Sequence, residues 1–511
     1  MPRDIVASLI ANAAEWPDVE ALVLAQRDGE ALTYRELVAR AASTAAALAS
    51  LPDPDRPIAI LAVSELDVVP ALIGCLMADR LCFVYPPLHG AARLAQALAS
   101  SNAVAAVVDD AGRETVDSAV SGNADAALVA WLSLREIYAG ASAFAGSQPP
   151  VTARPDAPGI AIFTSGSTGR ARGAVISRAD LSARAEAESH WFGLEPRETI
   201  LALLPIYFDV GLTQLLTTLT LGGRHVYLEN WWVGSDFTAA IAEFAPAGFA
   251  ASPVIWSTVM RFGTDDRFWR ALAALSYVTI SGGDLAPGMV AELAAKTGGT
   301  RLFKTYGQTE MFRIASLRPD EVAARPDSVG RAYPGASFTV LASDDTLAAP
   351  NEPGEVVAWG MGRMSGYVGG APGEGLSPAP TSLGLGEGAL VRRTGDHGVV
   401  DDEGYLYLRG RADDMLKIMD QRVYLLEIEQ LIGDVLSIAG LAVINTPSRS
   451  GQTTLSLFHS DPTLREDSPG VLQKLRSKLP PHMVPNRVVP LPDMPLLPSG
   501  KIDRSALRDH V

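Results

Sequence analysis

The sequence predicts a large α/β protein with a small β subdomain and a small α+β domain at the C-terminal end. Apolar, β-branched runs at 58–63, 103–108, 200–204 and 277–280 alternate with Ala- and Leu-rich stretches, as is typical of α/β layers. From about 330 to 408 the pattern changes to short apolar runs punctuated by Gly, which predicts the β subdomain. Helix patterns at 424–436 and 471–479 flank a strand pattern at 441–444, which predicts the last domain.

Length and charge agree with this organisation. A chain of 511 residues, 48% hydrophobic and 20% charged, is long enough for several packed domains. Its net charge of −16 argues against nucleic acid or an anionic membrane as the main partner. Residues 411–511 hold equal numbers of basic and acidic residues, so the whole excess lies in 1–410. We therefore predict an N-terminal core at 1–410 and a C-terminal domain at 411–511.

The cysteines and the N-terminus indicate a cytoplasmic protein. Cys75 and Cys82 lie in apolar runs, where buried thiols are expected. The N-terminal stretch carries charges that do not fit a signal peptide, and no run of 18 uncharged apolar residues predicts a membrane span.

A loop rich in Ser, Thr and Gly at 163–173 is the first candidate site. It follows an apolar strand, and small residues let backbone N–H groups approach phosphate oxygens. It lacks the Lys-Ser/Thr ending of a P-loop, which disfavours a P-loop ATPase. The alternative is a plain Ser/Gly turn.

Two further motifs could bind a nucleotide. In 304–310, Tyr306 can stack on a nucleobase and Glu310 can help to hold Mg²⁺, although the segment could also be the start of a helix. In 393–396, the Asp396 carboxylate could bind ribose hydroxyls, or the segment could be an ordinary turn.

Two polar segments follow towards the C-terminus. The stretch 410–422 could be a hinge or a solvated linker. Lys501 lies on a turn marked by Pro and Gly, and its flexible ammonium group could neutralise a reacting carboxylate or phosphate. The alternative is a surface lysine in a tail turn.

Together with 32–37, these motifs resemble in their order the adenylate-forming superfamily of acyl-CoA synthetases, luciferases and nonribosomal peptide synthetase adenylation domains. The resemblance covers nearly the whole chain. It implies that a carboxylate reacts with ATP to give an acyl-adenylate and pyrophosphate, and that a thiol then attacks the activated carbonyl. It also implies ATP and Mg²⁺ as cofactors and a mobile C-terminal domain that rotates between the two steps.

The resemblance assigns roles to individual residues. The implied ATP or AMP site consists of Thr164, Ser165, Gly166, Ser167, Thr168, Gly169, Gly283, Asp284, Tyr306, Gly307, Gln308, Thr309, Asp396 and Arg411. Glu310 and Thr168 would support Mg²⁺, Asp413 would be the hinge, and Lys501 would contact the carboxylate and the α-phosphate.

The segment 205–212 resembles the branch that activates amino acids, in which an aspartate after phenylalanine binds the substrate ammonium. Here that residue is Asp209, which could instead cap the following helix. Arg313 could bind a second carboxylate with help from Ser281, or could pair with a protein acid such as Asp209. This arrangement is similar to stand-alone enzymes of macrolactam antibiotic biosynthesis that activate β-amino acids of the 3-methylaspartate kind. Val210, Thr213 and Gly282 complete the predicted pocket.

The segment 479–485 resembles enzymes that load carrier proteins, and a separate carrier is expected because the chain ends at Val511. Basic residues at 474, 476 and 478 could attract an acidic carrier, or could be the solvated side of a helix. In two places the chain departs from the family pattern. Ala171-Arg172 replaces the usual Pro-Lys, and Asp420 replaces a glycine beside the pantetheine path, which disfavours CoA. An acyl-CoA synthetase for a small acid and a catalytically weakened binding or scaffold homologue stay open as alternatives.

Overall fold

The computed structural model of the chain describes residues 4–510, except for 27–28, 87–89, 122–127, 129, 145–156, 165–171, 230–233, 263–265, 299, 419–420, 439, 448–452, 465–467 and 498–500. The helices in the described part are α1 (Ile5–Glu15), α2 (Tyr34–Leu48), α3 (Glu65–Met77), α4 (Ala91–Ser101), α5 (Asp110–Ser121), α6 (Leu134–Ala139), α7 (Arg178–Phe192), α8 (Asp209–Thr220), α9 (Gly234–Phe244), α10 (Pro253–Phe262), α11 (Asp266–Ala273), α12 (Pro287–Thr297), α13 (Pro319–Val322), α14 (Leu425–Leu436), α15 (Ser468–Lys478) and α16 (Arg504–Arg508). The strands there are β1 (Glu20–Leu24), β2 (Ala31–Thr33), β3 (Ile58–Leu61), β4 (Cys82–Val84), β5 (Ala105–Val108), β6 (Ala130–Ser133), β7 (Ile160–Thr164), β8 (Arg172–Ile176), β9 (Thr199–Ala202), β10 (Arg224–Tyr227), β11 (Gly248–Ala251), β12 (Tyr277–Ile280), β13 (Arg301–Gln308), β14 (Met311–Leu317), β15 (Arg331–Ala332), β16 (Ala336–Leu341), β17 (Gly354–Gly360), β18 (Gly366–Tyr367), β19 (Ser377–Pro378), β20 (Leu390–Val400), β21 (Leu406–Arg411), β22 (Met415–Ile418), β23 (Gln421–Tyr424), β24 (Leu441–Pro447), β25 (Thr453–His459) and β26 (Arg487–Pro490).

These elements form two units. The first unit consists of Met1–Ala250, Gln308–Phe312 and Trp359–Ser377, and the second of Ala251–Gly307, Arg313–Ala358 and Pro378–Val511. The expected boundary between residues 410 and 411 lies inside the second unit, and the division into 1–410 and 411–511 stays a prediction.

A seven-stranded sheet of the first unit has the order β18-β8-β7-β4-β3-β5-β6. Its interior strand β3 runs parallel to β4 and β5, and all of its residues are buried. Burial on both faces is typical of a parallel strand and accounts for the unbroken apolar run in the sequence. β7 and β8 pair antiparallel, with Thr164 opposite Arg172. The predicted phosphate loop connects these paired ends, and its residues 165–171 lie outside the described part of the chain.

A second set of strands in the first unit has the order β11-β9-β10-β1-β2. β9 runs parallel to both β10 and β11, and the chain passes from its carboxyl end into α8. Ligands of α/β proteins bind at the carboxyl ends of parallel strands. Asp209, the first residue of α8, therefore follows a strand end of the kind that carries binding residues.

The second unit contains the predicted β subdomain. Strands β16-β17-β20-β19 form a sheet in that order. β21 also pairs with the long strand β20, opposite residues 396–400. In the same unit β12 runs parallel to β13, and its four residues are buried. The predicted run 277–280 coincides with β12, and β16, β17, β19 and β20 lie within the predicted region 330–408, so the α/β class with a small β sheet is confirmed.

The C-terminal residues of the second unit build a small α+β structure. β22 and β23 form a hairpin, and β24-β25-β26 form a three-stranded sheet. Apolar residues of α14, α15 and this sheet share one core, which includes Ile428, Leu457 and Leu475. The expected strand 441–444 extends to Pro447, and α15 begins three residues before the expected position, at Ser468.

The start of α12 is capped by α14. Ala286 at the N-cap position of α12 has no side-chain acceptor, and Asp434 Oδ1 accepts a hydrogen bond from Gly288 N at 2.9 Å instead. Gly433 lets the two helices approach, since a Cβ there would lie 3.0 Å from Ala286 Cβ. A carboxylate at a helix N-terminus satisfies a backbone N–H and complements the helix dipole.

Cys75 and Cys82 are buried free thiols, as expected from the sequence. Across the described ranges, no helix combines the length and the apolar character that a bilayer crossing requires.

Candidate active site

Three residues expected to bind AMP lie together in the second unit. Tyr306 Oη donates a hydrogen bond to Asp396 Oδ2 at 2.6 Å, and Arg411 Nη1 lies 3.6 Å from Asp396 Oδ1. The antiparallel pairing of β20 with β21 sets Asp396 directly opposite Arg411. Burial raises the pKa of Tyr306 well above its usual range, and the Asp396 carboxylate raises it further, so the hydroxyl stays protonated and donates. The result is an oriented carboxylate suited to accept hydrogen bonds from hydroxyl groups.

A glycine brings Arg411 close to this carboxylate. Gly395 has a φ of +70°, and a Cβ there would lie 3.2 Å from Arg411 Nη2. A left-handed conformation and a close guanidinium both favour glycine at this position. The turn between Thr394 and Asp396 therefore depends on a residue without a side chain.

The segment 301–310 continues from Tyr306 as a strand and a turn. Gly307 and Gln308 end β13, and Thr309 and Glu310 form the turn that leads into β14. The alternative interpretation of this motif as the start of a helix is wrong, because no helix begins within it.

Arg313 lies in a buried polar cluster of the second unit. Its Nη1 donates to Thr305 Oγ1 at 2.7 Å and lies 3.5 Å from Ser281 Oγ. Ser281 Oγ is in turn 2.8 Å from both Thr279 Oγ1 and Thr305 Oγ1. Arg313 is 7% exposed and has a φ of +45°, a conformation that costs about 1–3 kcal/mol in a residue other than glycine. Such strain is typical of binding sites and supports a functional interpretation of this arginine.

Asp284, expected in the ATP or AMP site, takes part in a buried ion pair. Its Oδ1 lies 2.7 Å from Lys304 Nζ, and the two side chains are 6% and 1% exposed. Gln430 Nε2 of α14 donates to Asp284 Oδ2 at 2.9 Å, and Lys304 Nζ also donates to the Pro326 carbonyl at 3.0 Å. The carboxylate thus links the core strand β13 to α14, a structural function in addition to the expected one.

The neighbouring glycines differ from each other. Gly282 has a φ of +80°, and no atom of the described residues would lie within 4 Å of a Cβ there. At Gly283 a Cβ would lie 3.1 Å from Pro253 Cγ. Among the described residues, Gly282 therefore lies beside open space, whereas Gly283 is packed against Pro253.

Glu310, expected at Mg²⁺, contacts other residues of the first unit. Tyr367 Oη donates to Glu310 Oε1 at 2.9 Å. The guanidinium carbon of Arg172 lies 3.7 Å from the centroid of the Tyr367 ring, and Arg172 also pairs with Glu374. Thr168 and the rest of 165–169 lie outside the described residues, as does Asp420, and the side chain of Thr164 is not described.

Mg²⁺ is compatible with this carboxylate. In the described ranges, no three or more His, Cys, Asp or Glu side chains are grouped so that they could hold a metal. A site made of one carboxylate and substrate phosphates is the usual arrangement for Mg²⁺ bound with a nucleotide. Glu310 provides an oxygen ligand of the right type.

Asp209 is the first residue of α8, and the N-cap position belongs to Phe208. Asp209 Oδ1 accepts from Val210 N at 2.9 Å, and Thr213 Oγ1 donates to the Asp209 carbonyl at 2.7 Å. The expected pocket residues Val210 and Thr213 therefore contact Asp209 itself. An ionised carboxylate in the first turn is favoured by the helix dipole, whether or not it binds a substrate.

Lys501 is exposed on a short antiparallel pairing. Its carbonyl accepts from Leu497 N at 2.7 Å, and Leu496 pairs with Ile502. The following helix is anchored by Arg504, whose Nη2 lies 2.8 Å from Glu429. Asp413, the expected hinge, is exposed in a short 3₁₀ turn at Ala412–Asp414 between β21 and β22.

Sequence reasoning missed Lys304, Tyr367 and Gln430 as partners of site residues. A signal existed for Lys304, because a lysine within an apolar strand pattern requires a nearby carboxylate. Tyr367 and Gln430 had no such signal, since each meets its partner across a long separation in sequence.

Comparison with known proteins identifies the family of this chain and several similar proteins. A model of the AMP-binding enzyme family matches residues 9–368. The chain is 29% identical over 503 residues to a probable non-canonical nonribosomal peptide synthetase, CymA, from Salinispora arenicola, covering 96% of this chain and 6% of that protein. It is 28% identical over 354 residues to a long-chain-fatty-acid–CoA ligase from Salmonella typhimurium, covering 68% of this chain and 61% of that enzyme. This chain thus spans less than two thirds of the length of these relatives.

Solved structures show the same fold over the full length. ATP-bound MatB from Rhodopseudomonas palustris superposes with a TM-score of 0.82 at 21% identity, covering 100% of this chain and 99% of that one. The anthranilate CoA ligase AuaEII with anthranoyl-AMP gives 0.83 at 19% identity, with coverages of 100% and 97%. From the family match and the shared fold, the chain belongs to the AMP-binding family of adenylate-forming enzymes.

Proposed function

We propose that this enzyme uses ATP to adenylate an amino acid and then passes the aminoacyl group to the phosphopantetheine thiol of a separate carrier protein in the cytoplasm. A probable non-canonical nonribosomal peptide synthetase aligns with 96% of this chain. Membership of the adenylate-forming family supports the first step. The choice of an amino acid and a carrier depends on the residues discussed next.

Asp209 supports an amino acid as the substrate. Its carboxylate lies at the start of α8, where it follows the carboxyl end of β9. A substrate ammonium would neutralise this carboxylate, whereas a fatty acid offers no cation to pair with it.

Arg313 is the residue that would bind a second carboxylate of the substrate. The guanidinium is buried in a cluster of hydroxyl groups, on a strained backbone. The fork of an arginine binds a carboxylate through two parallel hydrogen bonds, and hydroxyl groups beside it can accept or donate as needed. We infer an aspartate-like β-amino acid, of the 3-methylaspartate kind, as the substrate.

Adenylation depends on placement of charge more than on a base. A carboxylate oxygen bonds to the α-phosphorus of ATP while the bond to the bridging oxygen breaks and pyrophosphate leaves. Lys501 would neutralise the charge that builds around the α-phosphate, and Asp396 with Arg411 would hold the ribose. Glu310 and Thr168 would hold Mg²⁺, which neutralises phosphate charge when bound.

Transfer to a carrier protein is supported by charge on α15. Lys474, Arg476 and Lys478 are exposed on one helix. Carrier proteins are usually acidic, and the net charge of −16 would otherwise repel such a partner. Lys474 and Lys478 are four residues apart and share one side of the helix, so these two lysines are the candidate docking contacts, and Arg476 lies on another side.

Pyrophosphate exchange with a panel of acids tests the proposal. We expect exchange with aspartate-like β-amino acids, and at least tenfold less with β-alanine and β-phenylalanine, which lack the second carboxylate. In Arg313→Leu this preference should disappear, while in Arg313→Lys part of it should remain. Equal exchange without the second carboxylate in the unaltered enzyme would contradict the role of Arg313.

An acyl-CoA synthetase is the second candidate, because a fatty-acid–CoA ligase is 28% identical to 68% of this chain. Exchange with simple fatty or aromatic acids, followed by transfer to CoA rather than to a holo-carrier protein, would favour it. Failure to release pyrophosphate with any acid would favour the binding or scaffold homologue.

A further inference from the structure

Arg172 occupies a position at which the family usually has lysine, and the structure gives this arginine a specific environment. It is the first residue of β8, directly after the predicted phosphate loop. Its guanidinium lies over the Tyr367 ring and pairs with Glu374. A flat guanidinium can stack on a ring and bind a carboxylate at once, which a compact ammonium does less well.

Tyr367 is held firmly beside Arg172. It belongs to β18, which pairs antiparallel with β8 and sets Tyr367 opposite Ala174. Its ring also packs on Gly375, which has a φ of +83°, and a Cβ there would lie 2.3 Å from the ring carbon Cε2. The ring orientation is thus determined by backbone pairing, by a glycine and by the guanidinium.

The hydroxyl of Tyr367 then holds Glu310. The hydrogen bond from Oη to Glu310 Oε1 is 2.9 Å long. The backbone around Glu310 is tied to the same segment, because Met364 N donates to the Glu310 carbonyl at 3.0 Å and Phe312 N to the Gly362 carbonyl at 2.9 Å. Both the main chain and the side chain of Glu310 are therefore positioned by residues 362–367.

We propose that Tyr367 and Arg172 are positioning residues for Glu310 in the binding of the Mg²⁺ that accompanies ATP. This inference rests on the proposed function, in which Glu310 is the metal carboxylate. Hydrogen bonds from outside the ligand set orient metal ligands, and their loss costs about 10–100-fold in metal affinity. The arginine at position 172 contributes by stacking, so the strand that follows the phosphate loop is coupled to the metal carboxylate.

The decisive variant is Tyr367→Phe, which keeps the ring and removes the hydroxyl. Binding of the non-hydrolysable analogue α,β-methylene-ATP is measured by calorimetry over a series of Mg²⁺ concentrations. We expect the Mg²⁺ concentration for half-maximal binding to rise about 10–100-fold. Analogue affinity at saturating Mg²⁺ should change by less than about threefold, because no contact to the nucleotide itself is removed.

The chain offers a matched control at Tyr405. Its hydroxyl donates to Glu321 at 2.7 Å, and its ring lies 4.1 Å from the Arg325 guanidinium, so it has the same kinds of partner outside the proposed site. Tyr405→Phe should leave the Mg²⁺ requirement unchanged. Arg172→Lys keeps the charge but not the flat stack, and we expect it to raise the requirement by a smaller factor than Tyr367→Phe.

The possible results separate the two proposals. An unchanged Mg²⁺ requirement in Tyr367→Phe, or an equal loss of analogue binding at every Mg²⁺ concentration, overturns the positioning role. If the unaltered enzyme binds the analogue with no dependence on Mg²⁺, or not at all, the proposed function itself fails. If Tyr367→Phe does not fold, the proposal is tested at Arg172 instead, whose side chain is half-exposed. The Mg²⁺ concentration for half-maximal binding must then rise more in Arg172→Gln than in Arg172→Lys.

Discussion

Replacing Lys304 by methionine tests whether the ion pair with Asp284 stabilises the second unit. The two charged atoms are 2.7 Å apart and the side chains are 1% and 6% exposed. At an effective dielectric constant of about 20, Coulomb's law gives an attraction of roughly 6 kcal/mol at this distance. Removing the ammonium leaves the Asp284 carboxylate buried, with only its hydrogen bonds from Gln430 and from the backbone N of Leu285. Loss of one partner of a buried ion pair lowers the free energy of unfolding by about 3–5 kcal/mol.

A double-mutant cycle with Asp284→Asn isolates the pair. Unfolding in urea is followed by circular dichroism for both single variants and for the double variant. We expect the double variant to be more stable than the sum of the single losses predicts, by about 2–3 kcal/mol, because an uncharged amide no longer needs the ammonium.

Lys296 provides a matched control. It forms an i,i+4 pair with Glu292 at 3.1 Å, with side chains 37% and 51% exposed, so Lys296→Met should cost less than about 1 kcal/mol. A loss for Lys304→Met as small as this, or strictly additive losses in the cycle, would refute the argument from burial.

Three further predictions follow. Lys501→Ala should slow adenylation by about 10²–10³-fold while leaving transfer from preformed acyl-adenylate nearly unchanged, and equal losses in both steps would contradict its assignment to the first step. Burial lowers the pKa of His225 to about 3, below its ordinary value. Between these two pKa values the imidazole is protonated in the unfolded chain but neutral in the folded chain. This contribution to stability is complete only above about pH 7.5 and falls by about 2 kcal/mol between pH 6.5 and 4.5, and urea unfolding should show a flatter pH profile in His225→Gln but not in the exposed control His510→Gln. Asp434→Ala should destabilise the second unit by about 0.5–2 kcal/mol through loss of the α12 cap, with faster hydrogen exchange at Gly288, and an unaltered exchange rate there would contradict the capping role.

Local pattern was sufficient for much of the fold. The strands β12 and β17 follow from short apolar runs bounded by Gly, because a strand buried in a sheet has no polar face to interrupt the run. The boundaries of β5 and α15 were less predictable, since the ends of elements depend on neighbours that local pattern does not include.

In the candidate site, some side-chain contacts could be predicted from the sequence and others could not. The motif around Tyr306 indicated a nucleotide site, and the hydrogen bond from Tyr306 to Asp396 joins two motifs that the sequence had marked independently. The pairing of Lys304 with Asp284 was within reach, because β12 and β13 are parallel neighbours and Ile280 lies opposite Lys304. The contact of Tyr367 with Glu310 was not, because it depends on how β18 pairs with β8, and no periodicity records that register.

The cap on α12 has a consequence for engineering. A chimera joined near Asp413 would take Ala286 and Gly288 from one parent and Gly433 and Asp434 from the other. A donor C-terminal segment with a side chain in place of Gly433 would force Ala286 to shift, because the two Cβ atoms would be only 3.0 Å apart, and a segment without an acid at 434 would remove the hydrogen bond that caps Gly288 N. Compatible parents for domain exchange can therefore be selected from these two pairs of positions before any cloning.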